Sequence, residues 1–134
     1  MNKEDLKKRT KTFALRVFKF LQELEYNKPV NVVSNQLFRA SSSVAANYRA
    51  ACRGKSPADF LNKLKIVDEE ADESLFWLEF IRDLEIKSDR KELDLLIKEA
   101  NELVSIFSAA IRTIKSRNSQ SLMAVESQFL LPKS

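Results

Sequence analysis

The chain has 134 residues, a formal net charge of +4, one glycine, three prolines, one cysteine and no histidine. That length suits one domain around one core. Without histidine, Ser-His-Asp and Cys-His catalysis, Glu-x-x-His di-iron bundles and Arg/His ribonucleases are excluded; a single glycine excludes a phosphate-cradling glycine loop, and the lone Cys52 excludes an internal disulfide.

Few chain breakers among many Leu, Ala, Glu, Lys and Ile residues predict an all-α protein. No apolar run approaches the roughly 20 residues needed to cross a bilayer, and the N-terminus lacks the apolar stretch of a signal sequence. The expectation is a cytoplasmic, non-enzymatic protein with no membrane association, cofactor or metal.

Leu6, Phe13, Val17, Phe20, Leu21 and Leu24 recur at three-four spacing and predict a first helix over about 4–26. Pro29 ends it, lacking an amide hydrogen and disfavouring helix in the residue before it. Val33, Leu37, Ala40, Val44, Asn47 and Ala51 form the seam of a second helix over about 31–53, stopped at Gly54. Ser56 as N-cap and Pro57 in the first turn open a third helix over about 57–86, with the stripe Phe60, Leu64, Val67, Ala71, Leu75 and Leu78.

After a polar link in which Ser88 or Asp89 can cap, Leu93, Ile97, Ala100, Val104, Phe107, Ile111 and Ile114 define a fourth helix over about 90–117. Short links favour antiparallel neighbours, so residues 1–118 read as an up-down-up-down antiparallel four-helix bundle. The Ser/Gln-rich remainder, 119–134, reads as a loose tail or an arm docking on a neighbour.

Helix three carries more apolar surface than one core stripe uses. Ile66, Trp77, Phe80 and Leu84 project together away from that stripe and predict an oligomer interface. A wide core or cover by the tail is the alternative. Helix two is thin instead: Ala40, Ser41, Ser42, Ser43, Ala45, Ala46, Ala50 and Ala51 would let another helix approach closely, or simply give good helix propensity. Asn47 on its seam is read as a structural amide needing a hydrogen-bond partner.

Charge divides by element. Residues 30–55 hold four cations (Arg39, Arg49, Arg53 and Lys55) and no acid, whereas residues 56–86 hold nine acids and three cations. Two readings stand for the arginines: structural ion pairs with Glu69, Glu70 and Glu73, or contacts to phosphates. The N-terminal cations Lys7, Lys8, Arg9 and Lys11 extend the second reading. With no aromatics regularly interleaved among these cations, phosphate contacts rather than base readout are expected. The run Asp68–Glu73 points around the whole helix and does not read as a metal site; Cys52 reads as a small apolar residue.

The block from Ser34 to Phe80 resembles the four-helix bundle family first noticed as reading frames in intervening sequences of bacterial 23S ribosomal RNA genes. The resemblance rests on Gln36-Leu37, Arg39-Ala40, Ser43-Val44, Asn47, Gly54-Lys55-Ser56, Phe60, Lys63-Leu64, Glu69-Glu70, Glu73 and Trp77-Leu78. Where many members carry an Asn-Ile-Ala-Glu-Gly type of turn, this chain has Asn47-Tyr48-Arg49-Ala50-Ala51, so any role of that acid does not transfer. The resemblance implies a homo-oligomeric ring, most simply a pentamer. It also implies kinship with accessory proteins of diversity-generating retroelements, which bind a reverse transcriptase and nucleic acid. Two functions follow as expectations: an oligomeric adaptor for a protein partner, or an electrostatic RNA- or DNA-binding accessory acting with a reverse transcriptase.

Overall fold

A computed structural model describes residues 1–129, which form four helices and no strand. Helix α1 spans Lys3–Gln22, α2 Lys28–Cys52, α3 Pro57–Asp83 and α4 Arg90–Phe129. Side-chain capping explains each start. Asn2 and Asp5 form a reciprocal capping box on α1, while Asn27 accepts from the Val30 amide at 2.9 Å and places Pro29 in the first turn of α2. Pro29 therefore opens the second helix, and the first ends before it, at Gln22. Ser56 accepts from the Asp59 amide at 3.1 Å and Asp89 from the Glu92 amide at 3.1 Å, satisfying amides at the N-termini of α3 and α4.

The two later turns work differently. Gly54 has no positive φ. An added Cβ there would lie 3.0 Å from the Ala51 carbonyl oxygen and 3.3 Å from the Phe60 amide nitrogen, so glycine is needed for the close passage from α2 to α3. Glu85 adopts a left-handed φ of 56° just beyond α3, and the Ile86 amide reaches back to the Ile81 carbonyl at 3.3 Å. That six-to-one bond closes the helix end while Ile86 packs against the core.

Each helix touches two neighbours: α2 packs on α1 and α3, and α4 packs on α3 and α1. Residue pairs give the directions. Arg9 meets Glu99 while Arg16 meets Glu92, so α1 and α4 run antiparallel. Short links with contacts midway, Phe18 on Phe38 and Ser108 on Asp68, make α1/α2 and α3/α4 antiparallel too.

Phe13, Val17, Leu37, Val44, Leu64, Val67, Leu78, Leu96, Leu103 and Phe107 fill the centre. Burying each such side chain contributes roughly 1.5–3 kcal/mol. The seams differ from strict three-four reading in detail. Phe60, Leu75, Ile97 and Val104 are only half-buried, while Tyr48, Ile81, Leu96 and Leu103 lie inside. Among the described residues the polar side chains of Thr10, Ser41 and Ser74 are also fully buried. Each donates to a carbonyl one turn back in its own helix, as Ser74 does to Glu70 at 2.8 Å, so none needs a partner across the core.

Residues 119–134, read as a loose tail or a docking arm, continue α4 as far as Phe129. No glycine or proline interrupts residues 90–131, and an established helix propagates at little cost. Residues 130–134 lie outside the described residues.

Candidate functional site

The two flanks of α1 carry its cations to different fates. Toward α4, Arg9 donates from Nε to Glu99 Oε2 and from Nη2 to Glu99 Oε1, both at 2.7 Å, with Glu102 at 3.5 Å. About two turns further along α1, Arg16 forks onto Glu92 at 3.2 and 2.8 Å. These hydrogen bonds raise both guanidinium pKa values above the ordinary arginine value. Arg9, one of the candidate phosphate ligands, thus sits in a structural ion pair on a different flank from Lys7 and Lys11.

Toward α2, the second flank of α1 is open. Lys7, Lys8, Lys11 and Ala14 face Ser42, Ala45, Ala46 and Arg49 across a groove of about 410 Å³, with Glu4 at its edge. Lys7 pairs with Glu4 at 2.7 Å; Lys8, Lys11 and Arg49 have no salt-bridge partner among the described residues. The small residues of α2 expected to admit a neighbour form the groove floor. At its far end the rings of Phe18 and Phe38, both substantially exposed, pack at 5.3 Å between centroids.

The remaining cations separate. Arg53 lies beside Arg49 in a shallow hollow over Ala46 and Ala50, extending the basic groove. Lys55 lines another hollow with Lys3 and Phe60, where the Lys3 ammonium stands 4.6 Å from the ring centroid. Arg39 turns to α3, where it bonds Glu70 at 3.3 Å and also Glu73. Of the proposed ion pairs, these two form. Glu69 is exposed and unpaired among the described residues, and Arg49 and Arg53 point elsewhere. Asn47 is half-buried and donates to the Ser43 carbonyl at 3.0 Å and the Ser43 hydroxyl at 2.8 Å, so its amide serves its own helix.

On α3 the apolar surface is an aromatic cluster. Trp77 meets Phe76 at 4.9 Å and Phe80 at 5.4 Å edge-on, and Phe76 stacks on Phe80 at 5.8 Å. Ile66, Phe80 and Leu84 are exposed, but Trp77 leans against the core, and its indole N–H is buried with no acceptor among the described residues. Phe76, 52% exposed, is the outward ring that the sequence reading missed. Its spacing held the signal: Glu69, Glu73, Phe76 and Phe80 step by four, three and four along one ridge.

Inside the bundle, Tyr48 packs 5.5 Å from Phe107. Burial first, then the neighbouring Cys52 thiol, pushes its phenol above the ordinary 10. Cys52 itself is half-buried. Among the described residues no three His, Cys, Asp or Glu side chains gather closely enough to hold a metal ion, and no helix is long and apolar enough to cross a membrane.

The class so defined is a four-helix bundle whose distinctive surfaces are a basic groove and an aromatic ridge. The chain matches the family model of the 23S rRNA-intervening sequence protein over residues 2–109, and it belongs to that family. A solved structure from Bacteroides thetaiotaomicron, described as a protein of unknown function from the S23 ribosomal protein family, is similar at 30% identity, covering 84% of this chain and 99% of its own, with a TM-score of 0.71. No curated protein matches the chain.

Proposed function

We propose that this protein is a homo-oligomeric, non-enzymatic adaptor, a small bundle that assembles and presents a repeated surface to a partner. The observation behind this reading is the ridge of Phe76, Phe80 and Leu84, which a single chain leaves exposed beside a half-buried tryptophan. Contiguous aromatic surface of this kind is characteristic of interfaces. The family resemblance favours a closed ring, a pentamer in its simplest form, in a cytoplasmic setting. Light scattering coupled to size exclusion at micromolar concentration tests it: a mass several times 15.4 kDa is expected, and a strict monomer overturns it.

A second reading has its own observation, the convergence of Lys7, Lys8, Lys11, Arg49 and Arg53 along one side of the bundle. As an RNA- or DNA-binding accessory, working with a reverse transcriptase as retroelement accessory proteins do, the chain would contact phosphates with little base selectivity. Repetition in an assembly would add avidity. Titration with duplex and single-stranded RNA and DNA across salt concentrations tests it. Affinity should fall steeply with salt and weaken when Lys7, Lys8 and Lys11 become Gln; no retention at low salt rejects it.

A further inference from the structure

The basic groove and the aromatic ridge have the same repeat. On α1, Lys7, Lys11, Ala14 and Phe18 step by four, three and four; on α3, Glu69, Glu73, Phe76 and Phe80 do the same. Both runs span about 17 Å at 1.5 Å per residue. Laid side by side in parallel, they set Glu69 against Lys7 and Glu73 against Lys11. Phe76 then meets the notch at Ala14, and Phe80 meets the exposed Phe18 and Phe38 pair.

We infer that the groove between α1 and α2 receives α3 of a second copy of this chain. The inference rests on the assembly reading above and specifies its interface. Charge complementarity selects the occupant: the groove is cationic, whereas residues 56–86 carry nine acids against three cations. Ridge on ridge or groove on groove would bring like net charges together, which is unfavourable. A floor of Ala14, Ser42 and Ala45 suits the close approach of a third helix. A phosphate backbone requires no such floor.

Direction supports the same arrangement. Within one chain α1 and α3 point the same way, because each runs antiparallel to α2. Copies related by rotation about an axis along the bundle keep that direction, so α3 of one lies parallel to α1 of the next. The contact is head-to-tail, using different surfaces on the two copies, and such contacts build rings when the rotation closes. Glu73, already held by its own Arg39, would be shared with the neighbouring Lys11.

Two surface variants test this. Lys11→Glu with Ala14→Glu blocks the groove and leaves the ridge; Phe76→Ser with Phe80→Ser removes the ridge and leaves the groove. Circular dichroism first establishes that both retain wild-type helicity. Each variant alone is expected at the mass of one chain, 15.4 kDa, and their equimolar mixture at twice that mass, because only one intact contact can form between them. Either variant retaining the wild-type assembly, or a mixture that stays monomeric, overturns the inference while an assembled wild type keeps the adaptor reading intact. A groove variant that still assembles but no longer retains labelled poly-uridine assigns the groove to a polyanion and likewise overturns it. A monomeric wild type would instead remove the assembly reading itself.

Discussion

Helix α1 meets its two neighbours by opposite means. Toward α4, two arginine–carboxylate forks close the flank, and the partly buried Arg9–Glu99 pair has 23% and 17% of its side-chain surfaces exposed. Toward α2, the flank has small residues and lysines and stays open. The difference lies in the geometry of the cations and in what faces them. A guanidinium presents a planar fork that matches a carboxylate, and α4 supplies Glu92, Glu99 and Glu102 opposite it. Lysine is a point charge on a flexible stem, and α2 offers it no acid at all. Positive charge on the same helix is therefore structural on one side and available on the other.

The largest effect comes from removing what both flanks rest on. Phe13 is fully buried on the inner face of α1, and Phe13→Ala should cost about 3–5 kcal/mol in chemical denaturation, whichever flank matters more. A cost under about 1 kcal/mol would show that α1 is held mainly by its edges.

Arg9→Met comes next, because it keeps the aliphatic stem but strands Glu99 without its fork. A loss of about 1–2 kcal/mol is expected, with a smaller loss for Arg16→Met at the more exposed pair. Equal and negligible losses would place the closed flank in the same energetic class as ordinary surface ion pairs.

Tyr48 lies in the core, one turn before Cys52, and introduces a pH dependence. Its phenol is raised in the folded chain, so the neutral form is the one the fold retains. Below pH 10 the phenol is neutral in both states and its contribution is fully present. As pH climbs past 10 the unfolded chain ionises first, and stability falls by up to about 1.4 kcal/mol per pH unit. Tyr48→Phe should flatten that alkaline decline in thermal melts at successive pH values; an unchanged slope would mean that the phenol titrates normally.

The smallest stability effect belongs to the open flank. Lys7→Gln with Lys11→Gln should change unfolding free energy by less than about 0.5 kcal/mol, since among the described residues Lys11 has no salt-bridge partner and Lys7 only an exposed one on its own helix. The same substitutions should weaken assembly measured by light scattering. If they instead destabilise the single chain as strongly as Arg9→Met, the open flank contributes to the fold and the contrast between the flanks disappears.

Much of the architecture was legible one residue at a time. Local physics governs the Ser56 cap with Pro57 behind it, the scarcity of glycine and the recurring apolar residues, and these give four helices without strands. The same local reading erred where two signals competed. Pro29 reads as a stop for the first helix but serves as the start of the second, since proline suits a first turn as well as it ends a helix. Ser74 lay outside the predicted stripe of the third helix but is buried, because a hydroxyl that bonds its own backbone can enter a core at little cost.

The surfaces were less legible, because three-four spacing says which residues share a face but not how a helix is rotated against its neighbours. Residues 39, 49 and 53 occupy one arc of α2, yet packing sends Arg39 to Glu70 and Glu73 and leaves Arg49 in the groove beside α1. Trp77 and Phe76 are adjacent in sequence, and a rotation of one residue decides which ring leans on the core and which stands in solvent. Sequence alone determined the helices and the segregation of charge between them, for those follow from local propensity and composition. Only the tertiary structure decided which cations find a carboxylate, because ion pairing needs a fork within about 3 Å and that distance is set by side chains from helices far apart in the chain.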